Sequence, residues 1–557
     1  MRRHTVVLAV LLAAVPLTLA GGGASAASKK GAPAFTLYTT PSHRVVEPSI
    51  GVSPKTGDAL FSASENTFKV HWDDRVKPAK ATFTDVTQPL TGITTLDPII
   101  ATDRHTGRTF ISQLALACSI AVYTDDGGKT FNNSEGCGPG AAEDHQTLGA
   151  GPLPKSLRGP LATEAAYYCA QNGLDSACAA SHDGGVSFGP GVPTFNQSPD
   201  NHCGALSGHV KVAPDGTAYV PNKDCGGTPT KDQLTDGVFE GGGPAVAVST
   251  DNGVKYAVRR VPKATTQVED DNTIDVSRTG RLWMAWQNGA NRSTSLGALT
   301  STADVAWSDN QGKTWSKTSD LSTPLGLKNI HFASVVTGDA DRAAVSFYGN
   351  KSAGDDQRES FTGPGHDWHY YIAMTYDAGR TWTTQDLTPT DPVKRNCVDN
   401  QGTKPGAGNQ MGGAPICTER DLFDFMDIGA DGQGRVIGIF TDACTHKCKQ
   451  DPTVGQDDKL GMIARQSAGR GLLAAFDNPK PATATSGRTT HRGSTTATAT
   501  ASGTSVGSGS GAGSGTAGRS ASVGARLATT GAPYGLAVVA LGLLAGGLLL
   551  RRARRSG

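Results

Sequence analysis

The chain runs to 557 residues and is almost neutral, with 51 Lys and Arg against 50 Asp and Glu and a formal net charge of +1. So even a balance, with no basic stripe, excludes a nucleic-acid-binding surface. The 71 glycines and the scarcity of helix-forming runs exclude a helical bundle, and point to turns and short strands.

At the N-terminus, Arg2 and Arg3 precede an apolar run from Thr5 to Ala20, and small residues then lead to Ala24-Ser25-Ala26. This order predicts a secretory signal peptide over 1–26, because the apolar run is short for a membrane helix. The ten cysteines suit an exported chain, where an even count favours disulfides. They fall as near neighbours, Cys118/Cys137, Cys169/Cys178, Cys203/Cys225, Cys397/Cys417 and Cys444/Cys448. Sequential pairing is the simplest of many connectivities.

One phrase recurs from residue 124 onward. It reads TDDGGKTF at 124–131, SHDGGVSF at 181–188, SDNQGKTW at 308–315 and TYDAGRTW at 375–382, with a worn copy, STDNGVKY, at 249–256. A short β-rich run precedes most copies, so strand, turn and strand follow. Within each turn the acidic position (Asp126, Asp183, Asp251, Asn310, Asp377) is expected to accept backbone N–H bonds. The closing aromatic should anchor the turn in apolar packing. The spacing lacks the further carboxylates of a calcium loop, so no metal is expected there.

A second pattern interleaves with the first: a Gly- or Asp-rich turn followed by an apolar strand, as at Gly57, Gly107, Gly216, Gly280, Arg342 and Gly434. Each reads as the turn between the first and second strands of a four-stranded unit. Seven units result, at 45–93, 94–140, 141–200, 201–262, 263–325, 326–390 and 420–477. The expected fold is all-β, a single β-propeller over 34–477 with seven four-stranded blades. Six blades plus decorations is the alternative.

The repeated phrase resembles the Asp box, or bacterial neuraminidase repeat, of the sialidase-like β-propellers. That resemblance implies the propeller and says little about activity. Sialidases carry an arginine near the first strand that begins a clamp for the substrate carboxylate. Here His43-Arg44-Val45-Val46-Glu47-Pro48 stands in that region, with Arg44 displaced. Arg342, Arg395 and Arg420, and Tyr348, Tyr370 and Tyr371, occupy no recognisable sialidase motif, so no catalytic residue is carried over.

A site is expected where the innermost strands begin, at the mouth of the central channel. The residues at that phase are Glu47, Asp97, Asp144 with His145, Asp271, His331 and Asp424; the fourth unit offers Ser207, with His202 and His209 nearby. Converging carboxylates raise one another's pKa, which suits acid–base work or a cation site such as calcium. Asp144, His145 and Asp271 are the candidate catalytic groups, with Glu269 and Asp270 expected to raise Asp271. Glu47, Asp97, His331 and Asp424 are candidate ligand contacts. No cofactor is expected. Acidic residues at strand starts can also simply satisfy backbone donors.

Beyond 477 the composition changes to Ser, Thr, Gly and Ala, which cannot bury a core and predicts an extended stalk over 478–526. Leu527-Ala528-Thr529-Thr530-Gly531, the apolar span 534–550 and four closing arginines follow. This order resembles a sortase cell-wall sorting signal of the LAxTG form, found in high-GC Gram-positive bacteria. It implies cleavage after Thr530 and attachment to a peptidoglycan precursor, with sortase as a partner. The apolar span is long enough to cross a bilayer, and the arginines hold its end inside. The expected protein is thus a monomer on the outer cell wall that recognises an extracellular glycan or protein, or else a glycoside hydrolase.

Overall fold

The computed structural model describes residues 31–477 except 44, 93–95, 116–117, 135–143, 161, 172–175, 196–201, 205–206, 230–238, 241, 266–270, 290–299, 355–364, 397–421, 423–424 and 452–457. The expected signal peptide, stalk and sorting segment lie outside the described residues. Among the described residues no helix is long and apolar enough to cross a membrane.

Seven antiparallel blades of four strands follow one another along the chain, the sixth with a short extra strand, Lys394–Arg395, paired to its third. The first blade holds Ile50–Val52, Ala59–Ala63, Asn66–Asp73 and Lys80–Asp85. The second holds Leu96–Thr102, Thr109–Ala115, Cys118–Thr124 and Asn132–Asn133. Asp144–Pro152, Glu164–Gln171, Ser176–Ser181 and Gly191–Pro193 form the third. The innermost strands of blades four to seven are Lys211–Val212, Thr273–Val276, Asn329–Thr337 and Asp427–Ala430. The seven-blade reading therefore holds, and the six-blade alternative falls.

Burial follows from the stacking of blades. A second strand is covered on both faces by neighbouring blades, so Leu282–Asn288 (LWMAWQN) is buried at six consecutive positions instead of alternating. An outermost strand faces water, and Lys80–Asp85 is exposed or half-exposed throughout.

The ring closes in a way the sequence pattern did not announce. The seventh blade takes Val436–Asp442 and Leu460–Ala468 from the C-terminal side, but its outermost strand is Ala34–His43. That strand pairs antiparallel with Leu460–Ala468, Leu37 opposite Ala464 and Tyr38 opposite Ile463. Beside this seam Asp74 of the first blade bridges Arg435 at 2.6 Å and Arg465 at 2.7 Å. The two guanidinium groups outweigh the carboxyl's partial burial and hold it well below the usual carboxylate range.

The repeated phrase lies between the third and fourth strands of blades two to six. In its first copy, Asp126 Oδ1 accepts the N–H groups of Lys129 and Thr130 at 2.9 and 3.0 Å, and Oδ2 accepts the Thr130 hydroxyl at 2.7 Å. The opening Thr124 hydroxyl accepts the Gly128 N–H at 2.9 Å. Asp183 makes the same set. Asp377 accepts the Thr381 N–H and hydroxyl, and Asn310 accepts the Thr314 N–H while its amide donates to the Thr314 hydroxyl. The Thr130 N–H and hydroxyl pull the Asp126 carboxyl well below its ordinary range. Between first and second strands, Gly216 (φ +90°) is required twice over: a Cβ there would meet the Leu153–Pro154 backbone at 2.3–2.6 Å.

Three disulfides join expected pairs. Cys169–Cys178 links directly opposed residues of the third blade's middle strands, and Cys203–Cys225 and Cys444–Cys448 close short loops. Cys137, Cys397, Cys417 and the Cys118 side chain lie outside the described residues.

Candidate functional site

The innermost strands begin with a shared irregularity. Glu47, Asp97, His145 and Phe332 all take positive φ, from 48° to 56°, although none is glycine. Three of the four sit at register shifts: between Leu96 and Ile99, Asp144 and Thr147, and His331 and Ser334. A bulge there turns a side chain away from the sheet and toward the channel mouth or the next blade.

Two of these carboxylates stitch blades together. Glu47, 1% exposed, accepts the Asp97 N–H at 3.0 Å across the first blade boundary. Asp97, 3% exposed, accepts the His145 N–H at 3.3 Å across the second. Asp427 does the same at the seam, accepting the Ser49 hydroxyl and the Ile50 N–H at 3.0 and 3.1 Å. Each carboxylate satisfies a backbone donor that the bulge would otherwise strand.

A different group converges on the mouth from four blades. Asp271 of the fifth blade lies 3.2 Å from His145 Nδ1 of the third, and Lys223 of the fourth is 3.9 Å from its other oxygen. Phe425, from the seventh, meets the His145 ring edge-on at 6.3 Å and the His209 ring at 5.0 Å between centroids. His209, Asp271 and Phe425 share one phase, each two residues before its innermost strand.

The electrostatics run opposite to expectation at Asp271. Burial alone would raise its carboxyl, but His145 outweighs that, with Lys223 and His209 adding to it, and the net shift is downward. Glu269 and Asp270, expected to raise it, lie outside the described residues. Burial pushes the His209 imidazole down to about 4, against the upward pull of Asp427 and Asp271. The mouth thus presents an ionised carboxylate and an imidazole that is neutral at pH 7. Lys223 Nζ and Asp271 Oδ1 find no hydrogen-bond partner among the described residues.

The other expected residues are placed differently. His331 is fully buried, packed on Trp368 at 5.2 Å and on Phe332 within the sixth blade. Asp144 pairs through its backbone with Gln171, while its side chain, and the whole of Asp424, lie outside the described residues. Ser207 is buried and bridges Asn222. Arg342 is paired with Asp477, and Arg395 with Asp367. Tyr348 and Tyr370 are core residues, and the Tyr348 hydroxyl donates to the Thr441 carbonyl. Among the described residues no three His, Cys, Asp or Glu side chains gather as a metal site.

No family model matches this chain, and no curated protein does. Solved structures are similar to it at low identity. A polysaccharide lyase aligns over 80% of this chain and 94% of its own, with 9% identity and a TM-score of 0.41. The Aleuria aurantia lectin aligns over 62% and 96%, with 9% identity and a TM-score of 0.37. The intramolecular trans-sialidase from Ruminococcus gnavus aligns over 80% and 96%, with 10% identity and a TM-score of 0.32.

Proposed function

We propose that this chain is an exported, wall-displayed binding propeller that recognises a glycan at the mouth of its central channel. The observation that carries the reading is the convergence of His145, His209, Lys223, Asp271 and Phe425 from four blades on one opening. Sugar hydroxyls both donate and accept, so they suit a mouth that mixes a carboxylate, an ammonium and a neutral imidazole. The C–H face of a sugar ring suits an aromatic side chain such as Phe425. Display rests on the leader and the tripartite tail of the sequence.

Binding is favoured over hydrolysis because glycoside hydrolases use two carboxylates across the scissile bond, roughly 5–10 Å apart. Glu47 and Asp97 are buried and engaged by backbone N–H groups, which leaves Asp271, among the described candidate carboxylates, as the one facing other side chains at the mouth. One contact favours a second, catalytic reading: Asp271 holds His145 as an orienting carboxylate holds a general base. A glycan array with the full chain tests the first reading, and a panel of chromogenic glycosides tests the second. Binding that His145→Gln and Phe425→Ala abolish, without turnover, is the expected outcome. An array with no binder overturns the glycan reading, and turnover lost in His145→Gln installs the enzymatic one.

A further inference from the structure

We propose that the far end of the channel is a second binding pocket, selective for a small carboxylate-bearing molecule. Beyond the mouth, the innermost strands of six blades enclose a cavity of about 330 Å³. That is within the size range of small-ligand sites. Its walls are edge strands, whose channel-facing N–H and C=O groups have no further strand to pair with. Apolar side chains, among them Val52, Ile100, Val212 and Ile428, line its body.

The charges in this cavity are unequally engaged. Each acid is satisfied from within the protein. Asp103 accepts the N–H groups of His105 and Thr106 and the Thr106 hydroxyl. Asp275 accepts the Thr337 N–H at 2.7 Å and a nitrogen of Arg104 at 2.7 Å. Asp427 is taken by Ser49 and Ile50, as described.

The bases keep donors in reserve. The Lys211 backbone pairs with Tyr219, but its side chain has no hydrogen-bond or ion-pair partner among the described residues, although it lines the cavity. Arg158 is exposed at the far rim and gives its Nε to the Leu153 carbonyl at 2.6 Å, with a long 3.5 Å contact from one terminal nitrogen to Pro214. Arg104 also lines the cavity, its terminal nitrogens engaged by Val276 and Asp275 and its side chain 46% exposed. A carboxylate entering between Arg158 and Lys211 would meet a planar guanidinium fork and an unpaired ammonium. The body of a monosaccharide-sized molecule would fill the apolar part. A neutral molecule of the same shape would leave the Lys211 charge unmatched in a partly dry channel.

The test is isothermal titration of the full chain with D-glucuronate and with D-glucose, which differ only in the carboxylate. Glucuronate should bind at one site, at least about tenfold more tightly than glucose, as loss of a charge-assisted hydrogen bond implies. Lys211→Gln and Arg158→Gln should each weaken glucuronate by about the same factor, and added NaCl should weaken it further. Arg158 also supports the Leu153 turn, so Lys211→Gln carries the test if Arg158→Gln folds poorly. Equal binding of the two sugars, no binding of glucuronate at millimolar concentration, or undiminished binding in Lys211→Gln overturns the proposal.

Discussion

Replacing Asp271 with Asn tests whether charge holds the channel mouth together. The Asp271 side chain is 6% exposed and that of Lys223 3%, and they stand 3.9 Å apart. At an effective dielectric constant near 20 such a pair attracts by about 4 kcal/mol before desolvation is counted. The substitution keeps the side chain's shape and removes the countercharge, which leaves the Lys223 ammonium buried with no hydrogen-bond partner. Breaking a buried pair in this way costs about 3–5 kcal/mol. Lys223→Met alone should cost less, because Asp271 keeps its 3.2 Å contact with His145. In the Asp271→Asn background, Lys223→Met should recover most of the loss, because it removes the stranded charge. Urea denaturation at pH 7, followed by tryptophan fluorescence for all four proteins of the cycle, reads this directly. A loss below about 1 kcal/mol in Asp271→Asn, or a double variant no more stable than that single one, would refute the reasoning.

Further outcomes follow from other parts of the structure. His209 has a folded pKa of about 4, below an unfolded value of about 6.5. The unfolded chain therefore binds its proton first as pH falls, and stability is lost from about pH 6.5 down to about 4. Relative to His209→Gln, the wild type should lose on the order of 1–3 kcal/mol between pH 7 and pH 4, the lower part of that range allowing for residual solvent contact; parallel pH profiles would count against it. Asp427 and Asp271 pull the imidazole's pKa up and Lys211 and His145 push it down, all of them smaller in effect than burial. Asp377→Ala removes the acceptor for the Thr381 N–H and hydroxyl, and should cost about 1 kcal/mol in thermal or chemical melts without altering ligand affinity. Non-reduced peptide mapping should recover Cys118–Cys137 and Cys397–Cys417 beside the three disulfides described, and free thiols there would contradict sequential pairing. Thr530→Ala should shift the protein from the wall fraction to the membrane or medium, and a variant that stays wall-linked would end the sorting proposal.

Most of the blade pattern was legible because its turns are local. The positive φ of Gly216 and the Asp126 and Asp377 turns draw on residues within a few positions, so they leave a signature in the chain, whereas the Leu153–Pro154 contact at Gly216 leaves none. The closing strand Ala34–His43 was not legible, because its partner Leu460–Ala468 lies at the other end of the propeller and neither segment names the other. The mouth divides in the same way. Its phase could be read at Glu47, Asp97, His145 and Asp271, but phase does not say whether a carboxylate faces the channel or the next blade's backbone. Glu47 and Asp97 took the second course. Lys223 was missed because it lies on a second strand, where nothing in the alternation marks a channel contact. Phe425 was passed over for its acidic neighbour, although its position two residues before an innermost strand matches that of Asp271. The downward shift at Asp271 was not legible because the neighbours that cause it, His145, Lys223 and His209, come from other blades.

The most direct test of the channel mouth as the ligand site is a crystal structure of the full propeller soaked with the saccharide that ranks first on the array. The account predicts sugar density against Phe425, within hydrogen-bonding distance of His145 or His209. Density confined to the clefts between blades or to the outer strands, with the mouth unchanged, would contradict it.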